Sequence, residues 1–382
     1  MSSFTTTDSF EPKKLGNAHP CVELSHLSPQ AQVFLLLNMN IVILDDYQDV
    51  VRKLDCANKL KGFNTKVYNN TVKGMGQLVV RLKDAEALVL IRERTPIKRN
   101  LLEKLPKLKL ISQTGKVSSH LDLQACTDLG IVVSEGFGSP IAPAEMTWAL
   151  VMAGARRLPQ YISNLKHGVW QQSGLKAAHM PANFGLGTTL HGKTFGVWGY
   201  GKIGQLVSQY ARAFGMTVLV WGSPESREKA IQDGHQAAAS KAAFFSDSDY
   251  VSLHLRLNDQ TQASVTAQDL ALMKTTAMLV NTSRAELIEE GALAKALLRG
   301  QPGLAGVDVF ESEPILQGNA LLKLENCICT PHLGYVEQNS YELYFGTAFD
   351  NVVNFAAGHP SAVANPTVLE RSKKLTPPAR KT

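Results

Sequence analysis

The stretch Thr194-Phe-Gly-Val-Trp-Gly199-Tyr-Gly201-Lys-Ile-Gly204 decides the fold. An apolar run of β character, Thr194 to Trp198, leads into glycines spaced G-x-G-x-x-G, and a helical stretch from Lys202 to Phe214 follows. That strand–turn–helix setting is what separates a nucleotide-binding turn from a chance run of glycines. Gly199 permits the tight turn, Gly201 lets the backbone approach a pyrophosphate, and Gly204 lets helix and strand pack closely. Lys202 and Ile203 open the helix, whose free N–H groups then face the phosphates.

Outward from this point, apolar β-type runs alternate with helical stretches in both directions. Upstream, strands are predicted at Asn40–Leu44, Thr65–Tyr68, Ala87–Ile91, Leu108–Ser112 and Ile131–Val133. Helices fill 74–82, 98–105 and 121–129, the last closed by Gly130. A longer helical region, 143–167, and an irregular connection, 170–192, precede the glycine turn. Downstream, strands are predicted at Thr217–Trp221, Tyr250–Leu253, Ala277–Asn281, Leu304–Val307 and Cys327–Thr330, then a final helix over 336–357. This alternation means α/β architecture with doubly wound parallel sheets. At 382 residues the chain is long enough for two such domains.

Composition narrows the function classes. The chain is 44% hydrophobic and 19% charged, as in soluble globular proteins. Much of the net charge of +6 sits after Asn365, where Arg371, Lys373, Lys374, Arg380 and Lys381 face only Glu370. No basic stripe remains to favour nucleic acid, and no run approaches the roughly 20 apolar residues of a membrane span. The five cysteines, Cys21, Cys56, Cys126, Cys327 and Cys329, form no Cys-x-x-Cys pair. Cys327 and Cys329 fall on one side of their strand and read as packed structural thiols, no metal site is indicated, and a reducing cytoplasm suits the set. Residues 1–38, rich in Ser, Thr and Pro, are expected to be a disordered extension, and the tail from 367 a disordered basic one. Met39 is a plausible natural start.

The ribose pocket departs from the usual pattern. An NAD site carries an acidic residue about 20 positions after the first glycine. Here Trp221 is followed by Gly222 and Ser223, and no acid occurs between Gly204 and Glu225. The usual bar to a 2′-phosphate is missing, so NAD and NADP both stay open. Ser223 and Arg227 are candidate phosphate contacts.

Three later segments fall at the C-terminal ends of predicted strands, where open α/β sheets bind ligands. They are Val280-Asn-Thr-Ser-Arg284, Gly306-Val-Asp308-Val-Phe-Glu-Ser-Glu313-Pro314 and Thr330-Pro-His332-Leu-Gly334. Arg284 would fork onto a carboxylate and polarise the neighbouring carbonyl. His332 would protonate the developing alkoxide, or deprotonate the alcohol in reverse. Glu313 would hold the imidazole and favour its charged form.

With these segments in hand, the chain resembles the D-isomer-specific 2-hydroxyacid dehydrogenase family, which includes D-3-phosphoglycerate dehydrogenase. The resemblance runs from about Met39 to Pro366. It implies a Rossmann cofactor domain over 147–335, inserted into a flavodoxin-like substrate domain made of 39–146 and 336–366. It implies hydride transfer between NAD(P) and the 2-carbon of a small 2-hydroxy or 2-keto acid. Arg284, Glu313 and His332 then take the catalytic places, and Asp308 the place that meets the nicotinamide carboxamide. His254, Thr282, Ser283 and Gly334 fall where the family contacts cofactor, and Arg92 and Gly115 where it contacts substrate. Family members are commonly homodimers that close a cleft on substrate.

Departures bear on the substrate. The family's substrate loop has two glycines before Asp-Asn, whereas here only Gly115 remains and Lys116 is new. Lys116 is either an added charge for an acidic substrate or a solvated side chain. Glu93 replaces a common serine beside Arg92, which counts against phosphoglycerate. His179, in the long connection, reads as incidental. Formate oxidation on the same scaffold pairs the histidine with Gln, so Glu313 argues against it. A non-enzymatic dinucleotide sensor is the remaining alternative, and the absence of a long regulatory extension counts against it.

Overall fold

The computed structural model describes residues 39–171, 185–315 and 318–374; the 1–38 extension, His179 and the end of the basic tail lie outside them. The chain divides into two compact units. One comprises residues 39–52, 57–136 and 348–374, the other 53–56 and 137–347.

The first unit holds a parallel five-stranded sheet of β1 (Asn40–Ile43), β2 (Asn64–Val67), β3 (Ala87–Leu90), β4 (Leu110–Gln113) and β5 (Val132–Ser134). Its order, β2-β1-β3-β4-β5, is the flavodoxin-like one, with its switch point between β1 and β3. β3 and β4 are buried at every residue; β3 accordingly reads as a continuous apolar run rather than an alternating one, while β4 ends on buried Ser112 and Gln113.

The second unit holds β6 (Thr194–Trp198), β7 (Thr217–Trp221), β8 (Gln236–Ala237), β9 (Tyr250–Leu253), β10 (Met278–Asn281), β11 (Leu304–Val307) and β12 (Cys327–Cys329). All pairings are parallel, in the order β12-β11-β10-β9-β6-β7-β8. Counted from β6, this is the Rossmann order 3-2-1-4-5-6 with one strand added at the β12 edge. Phe195 and Val197 of β6 enter one apolar cluster and Trp198 another, so both faces of the sheet are covered.

Three features differ from the sequence reading. The helical region 143–167 is two helices, Ile141–Ala155 and Leu158–Lys166. Pro159 has no N–H to give the Ala155 carbonyl, which accepts from Thr188 N at 2.8 Å instead, and Arg157 turns the chain at φ 55°. The two-residue β8 carries too little pattern to be recognised. The two compact units divide at 136/137 and 347/348, outside the 147–335 expected for the cofactor domain. Trp148, on the helix Ile141–Ala155, packs its ring against Phe195, Tyr210 and Phe214 of the second unit.

Residues Thr367–Lys374 of the tail, expected to be disordered, form a helix. Asn365 anchors it, accepting from Val133 N and donating to Thr127 Oγ1 and the Ile131 carbonyl, and Val368 is buried. No helix among the described residues is long and apolar enough to cross a membrane.

Candidate active site

The glycine turn stands at the sheet's switch point, between β6 and β9. Gly199 has φ 98°, and a Cβ there would stand 2.7 Å from the His254 carbonyl oxygen. A Cβ on Gly204 would collide with the Gly199 carbonyl, while one on Gly201 would meet nothing within 4 Å. Two glycines are thus required by the protein's own packing. The third faces open space, which fits a ligand approaching the backbone. The helix Lys202–Ala213 starts directly after it, and no side chain caps its first N–H groups. These residues fit a dinucleotide pyrophosphate.

His254 follows β9, its Nε2 2.8 Å from Ser252 Oγ. Burial pushes its imidazole down to about 4, so it is neutral at physiological pH. At the ribose end, Ser223 caps the helix Pro224–Gln232, accepting from Ser226 N at 3.3 Å. Arg227 lays its guanidinium 4.9 Å from the Trp221 ring centroid, and its Nε is buried without a hydrogen-bond partner. Glu225 is held below the usual carboxylate range, chiefly by a hydrogen bond from Ser223. A cation and an acid therefore both flank the place where Gly222 replaces the usual acid.

Beyond β10, the Asn281 side chain shapes the loop that carries Arg284. Its Oδ1 accepts from Ser283 N at 3.0 Å and its Nδ2 donates to the Arg284 carbonyl at 2.8 Å. Arg284 is extended at φ −147°, and Nη1 donates to the Ser283 carbonyl at 2.7 Å. Thr282 Oγ1 lies 2.7 Å from Thr147 Oγ1.

Beyond β11, Asp308 is fully buried. It accepts from Thr330 Oγ1 at 2.6 Å, Leu333 N at 2.8 Å and Gly334 N at 2.8 Å. Burial raises its carboxyl above the ordinary range despite these donors. Asp308 thus ties the loop after β12 to the end of β11. In that loop His332 adopts φ 52°, a conformation rare outside glycine and concentrated at functional positions.

His332 Nδ1 lies 2.7 Å from Glu313 Oε2, and Glu313 Oε1 accepts from Phe310 N at 3.0 Å. Burial alone would raise the Glu313 carboxyl. The hydrogen bond and charge of His332, the Phe310 N–H and the charge of Arg284 outweigh it and hold the group low. Side-chain exposures of 28% for His332 and 34% for Glu313 leave both reachable from solvent. The imidazole edge packs against Tyr335, with centroids 5.6 Å apart. Nδ1 is occupied by Glu313, which leaves Nε2 as the ring nitrogen a ligand could meet.

In the first unit, Arg92 follows β3 at φ 53°. Its N–H donates to Thr114 Oγ1 at 3.0 Å, and its carbonyl accepts from Gln113 Nε2 at 2.7 Å. Its guanidinium lies across Gly115, where any Cβ would collide with it. Lys116 is already matched: Nζ is 2.7 Å from Glu135 Oε2. Asn281, Thr330, Thr147 and Phe310 were not singled out by the sequence reading. The Asn-x-x-Arg and Thr-Pro-His spacings contain the first two, but the partners are chosen across strands.

The fold and the glycine cradle define a Rossmann-type dinucleotide-binding protein. Comparison with known proteins narrows this. The sequence model of the D-isomer specific 2-hydroxyacid dehydrogenase NAD-binding domain matches residues 148–334. The chain is 33% identical to a glyoxylate reductase of Thermococcus litoralis over 78% of its own length and 88% of the relative's. It is 38% identical to a D-3-phosphoglycerate dehydrogenase of Methanocaldococcus jannaschii over 68% of its length, spanning about half, 47%, of that relative. Among solved structures, a phosphoglycerate oxidoreductase of Vibrio cholerae superposes with a TM-score of 0.80 at 55% identity, covering 84% of this chain and 99% of the other. The chain belongs to the D-isomer-specific 2-hydroxyacid dehydrogenase family. It is an oxidoreductase acting on CH–OH donors with NAD(P).

Proposed function

We propose that this enzyme reduces small, unphosphorylated 2-keto acids of the glyoxylate and hydroxypyruvate class, with Arg284, Glu313 and His332 as its catalytic set. The His332–Glu313 contact of 2.7 Å, beside the charge of Arg284, carries the assignment of roles. Arg284 holds the substrate carboxylate and draws electron density from the adjacent carbonyl. Bound nicotinamide supplies the hydride for the 2-carbon. His332 Nε2 gives its proton to the alkoxide oxygen as charge develops there, and Glu313 holds the ring through Nδ1 and stabilises the imidazolium. In the oxidative direction the proton returns to Nε2.

Gly199, Gly201, Lys202, Ile203 and Gly204 would hold the pyrophosphate, and Gly222 and Ser223 would border the ribose. His254, Thr282, Ser283, Asp308 and Gly334 would take the nicotinamide side. In the first unit, Arg92 and the backbone at Gly115 take places where the family contacts substrate. The relatives carry both phosphoglycerate and glyoxylate names. The pairing of Lys116 with Glu135 favours the smaller acid, because it neutralises the one cation this loop adds.

The enzyme is proposed to act as a homodimer in a reducing cytoplasm. Leu158, Ile162 and Leu165 leave an apolar stripe exposed along one helix, and among the described residues no cysteine is in a disulfide. Steady-state oxidation of NADH and NADPH with glyoxylate, hydroxypyruvate, pyruvate and phosphohydroxypyruvate tests the substrate reading. A kcat/KM for hydroxypyruvate above that for phosphohydroxypyruvate is expected; the reverse order overturns it.

A further inference from the structure

β12 is the edge strand of the seven-stranded sheet and pairs only with β11. Its sequence is Cys327-Ile328-Cys329. Ile328 joins the core on one face, and both cysteines turn to the other, packed against the second cluster. Both are half-buried rather than enclosed, and their sulfurs are 3.7 Å apart. Cys56 and Cys126, by contrast, are buried, and burial pushes the Cys126 thiol up to about 12.

We propose that Cys327 and Cys329 form a reversible disulfide on exposure to a peroxide, and that this bond slows turnover by displacing the loop that carries His332. In an extended strand, Cα atoms two residues apart lie about 6.6 Å from each other. That is just inside the roughly 6.8 Å limit for a disulfide, but the Cβ atoms, spaced about as far apart on one face of the strand, must come to within about 3.5–4.5 Å. The bond therefore closes only by puckering β12, and a strained bond of this kind is readily reduced again.

The thiols differ in reactivity. The contact between the two sulfurs holds Cys329 below the ordinary thiol range, while the same contact, together with burial, raises Cys327. Cys329 is then the attacking sulfur. It attacks one peroxide oxygen, the O–O bond breaks, and the departing hydroxide takes a proton and leaves as water. The Cys329 sulfenic acid is next attacked by the Cys327 sulfur. The S–O bond breaks, the S–S bond forms and a second water leaves. Two thiols are oxidised and one peroxide is reduced to two waters.

The route to turnover is short. Thr330 follows Cys329 directly, its N–H donates to the Val307 carbonyl at 2.9 Å, and its hydroxyl donates to Asp308. His332 N donates to the Thr330 carbonyl at 3.0 Å. Puckering β12 pulls on these bonds, and a displacement of about 1 Å at a reacting group costs up to ~10²-fold in rate.

The test treats the full chain with hydrogen peroxide, blocks the remaining thiols and maps the peptide containing 327–329 by mass. A peptide lighter by two hydrogens and restored by dithiothreitol is expected. Cys327→Ser should stop at a dimedone-reactive Cys329, and Cys329→Ser should give no cross-link. Peroxide should cut wild-type turnover on the order of tenfold or more, reversibly, and spare the double serine variant. If serine destabilises this half-buried pair, alanine replaces it. A 327–329 peptide that keeps its mass overturns the proposal, as does a cross-linked enzyme with undiminished turnover. The link to turnover rests on the role given to His332; the cross-link is read by mass and does not.

Discussion

Replacing Glu313 with Gln keeps the shape of the side chain and removes its charge. In the native site the carboxylate takes a hydrogen bond from His332 Nδ1 at 2.7 Å and one from Phe310 N at 3.0 Å. Hydrogen bonds to charged groups are worth about 1.5–3 kcal/mol. The side chain is 34% exposed, so solvent screening moves the expectation to the low end of that range. If this difference is realised mainly as imidazolium forms, kcat falls about tenfold to thirtyfold, at 1.36 kcal/mol per decade. Cofactor affinity should be nearly unchanged.

The pH profile adds a sign. Glu313 is held below the usual carboxylate range. Its contribution is thus fully present above the ordinary glutamate value and lost as pH falls through the depressed one. The native enzyme should keep this support in mildly acidic buffer, whereas Glu313→Gln should show the same deficit at every pH above it. The assay is loss of nicotinamide absorbance under saturating keto acid, with circular dichroism as the control for folding. A folded Glu313→Gln enzyme with native kcat would refute the orienting role.

Other substitutions separate the remaining parts. Arg284→Lys keeps the charge but loses the planar fork, so KM for the keto acid should rise by about tenfold or more while dinucleotide Kd holds; an unchanged KM would make the arginine structural. Arg227→Ala removes the cation stacked on Trp221 and should shift the kcat/KM ratio away from NADPH, while Glu225→Gln should shift it toward NADPH. Ratios that do not move place cofactor choice elsewhere. Thr330→Val withdraws a 2.6 Å hydrogen bond from the buried Asp308 and should cost about 1–3 kcal/mol by denaturant titration. Asp308 already has a raised carboxyl, so the native state binds more protons than the unfolded chain between the two values, and stability falls as pH rises through that window. The Thr330→Val deficit should therefore shrink as acid protonates the group, and a deficit independent of pH would contradict the account.

Much of this molecule is legible in its sequence because buried parallel strands announce themselves. β3 is a solid apolar run and β9 and β10 carry one strongly polar residue each, Ser252 and Asn281, and Gly199 and Gly204 are demanded by backbone collisions that nothing but glycine avoids. Arg284, Glu313 and His332 were visible as residue types after successive strands. Less visible were features that depend on partners distant in the chain. Pro159 breaks the helix near 156 because the Ala155 carbonyl finds Thr188. The tail helix is held by Asn365 against Thr127, Ile131 and Val133, contacts that a basic, low-complexity composition conceals. Lys116 shows in sequence as a charge without a partner, and its pairing with Glu135, nineteen residues away, is set by the fold. The proximity of two sulfurs on β12 follows from strand periodicity, but their separation does not.

The most direct test of the central claim follows the hydride itself. The enzyme is supplied with NADPH or NADH deuterated at C4 of the nicotinamide, and hydroxypyruvate is the acceptor. The account predicts deuterium at the 2-carbon of a D-configured hydroxy acid, and loss of this transfer in His332→Ala by the ~10²–10⁴ typical of a general acid. Dinucleotide bound without any deuterium reaching C2, across the four keto acids named above, would contradict it.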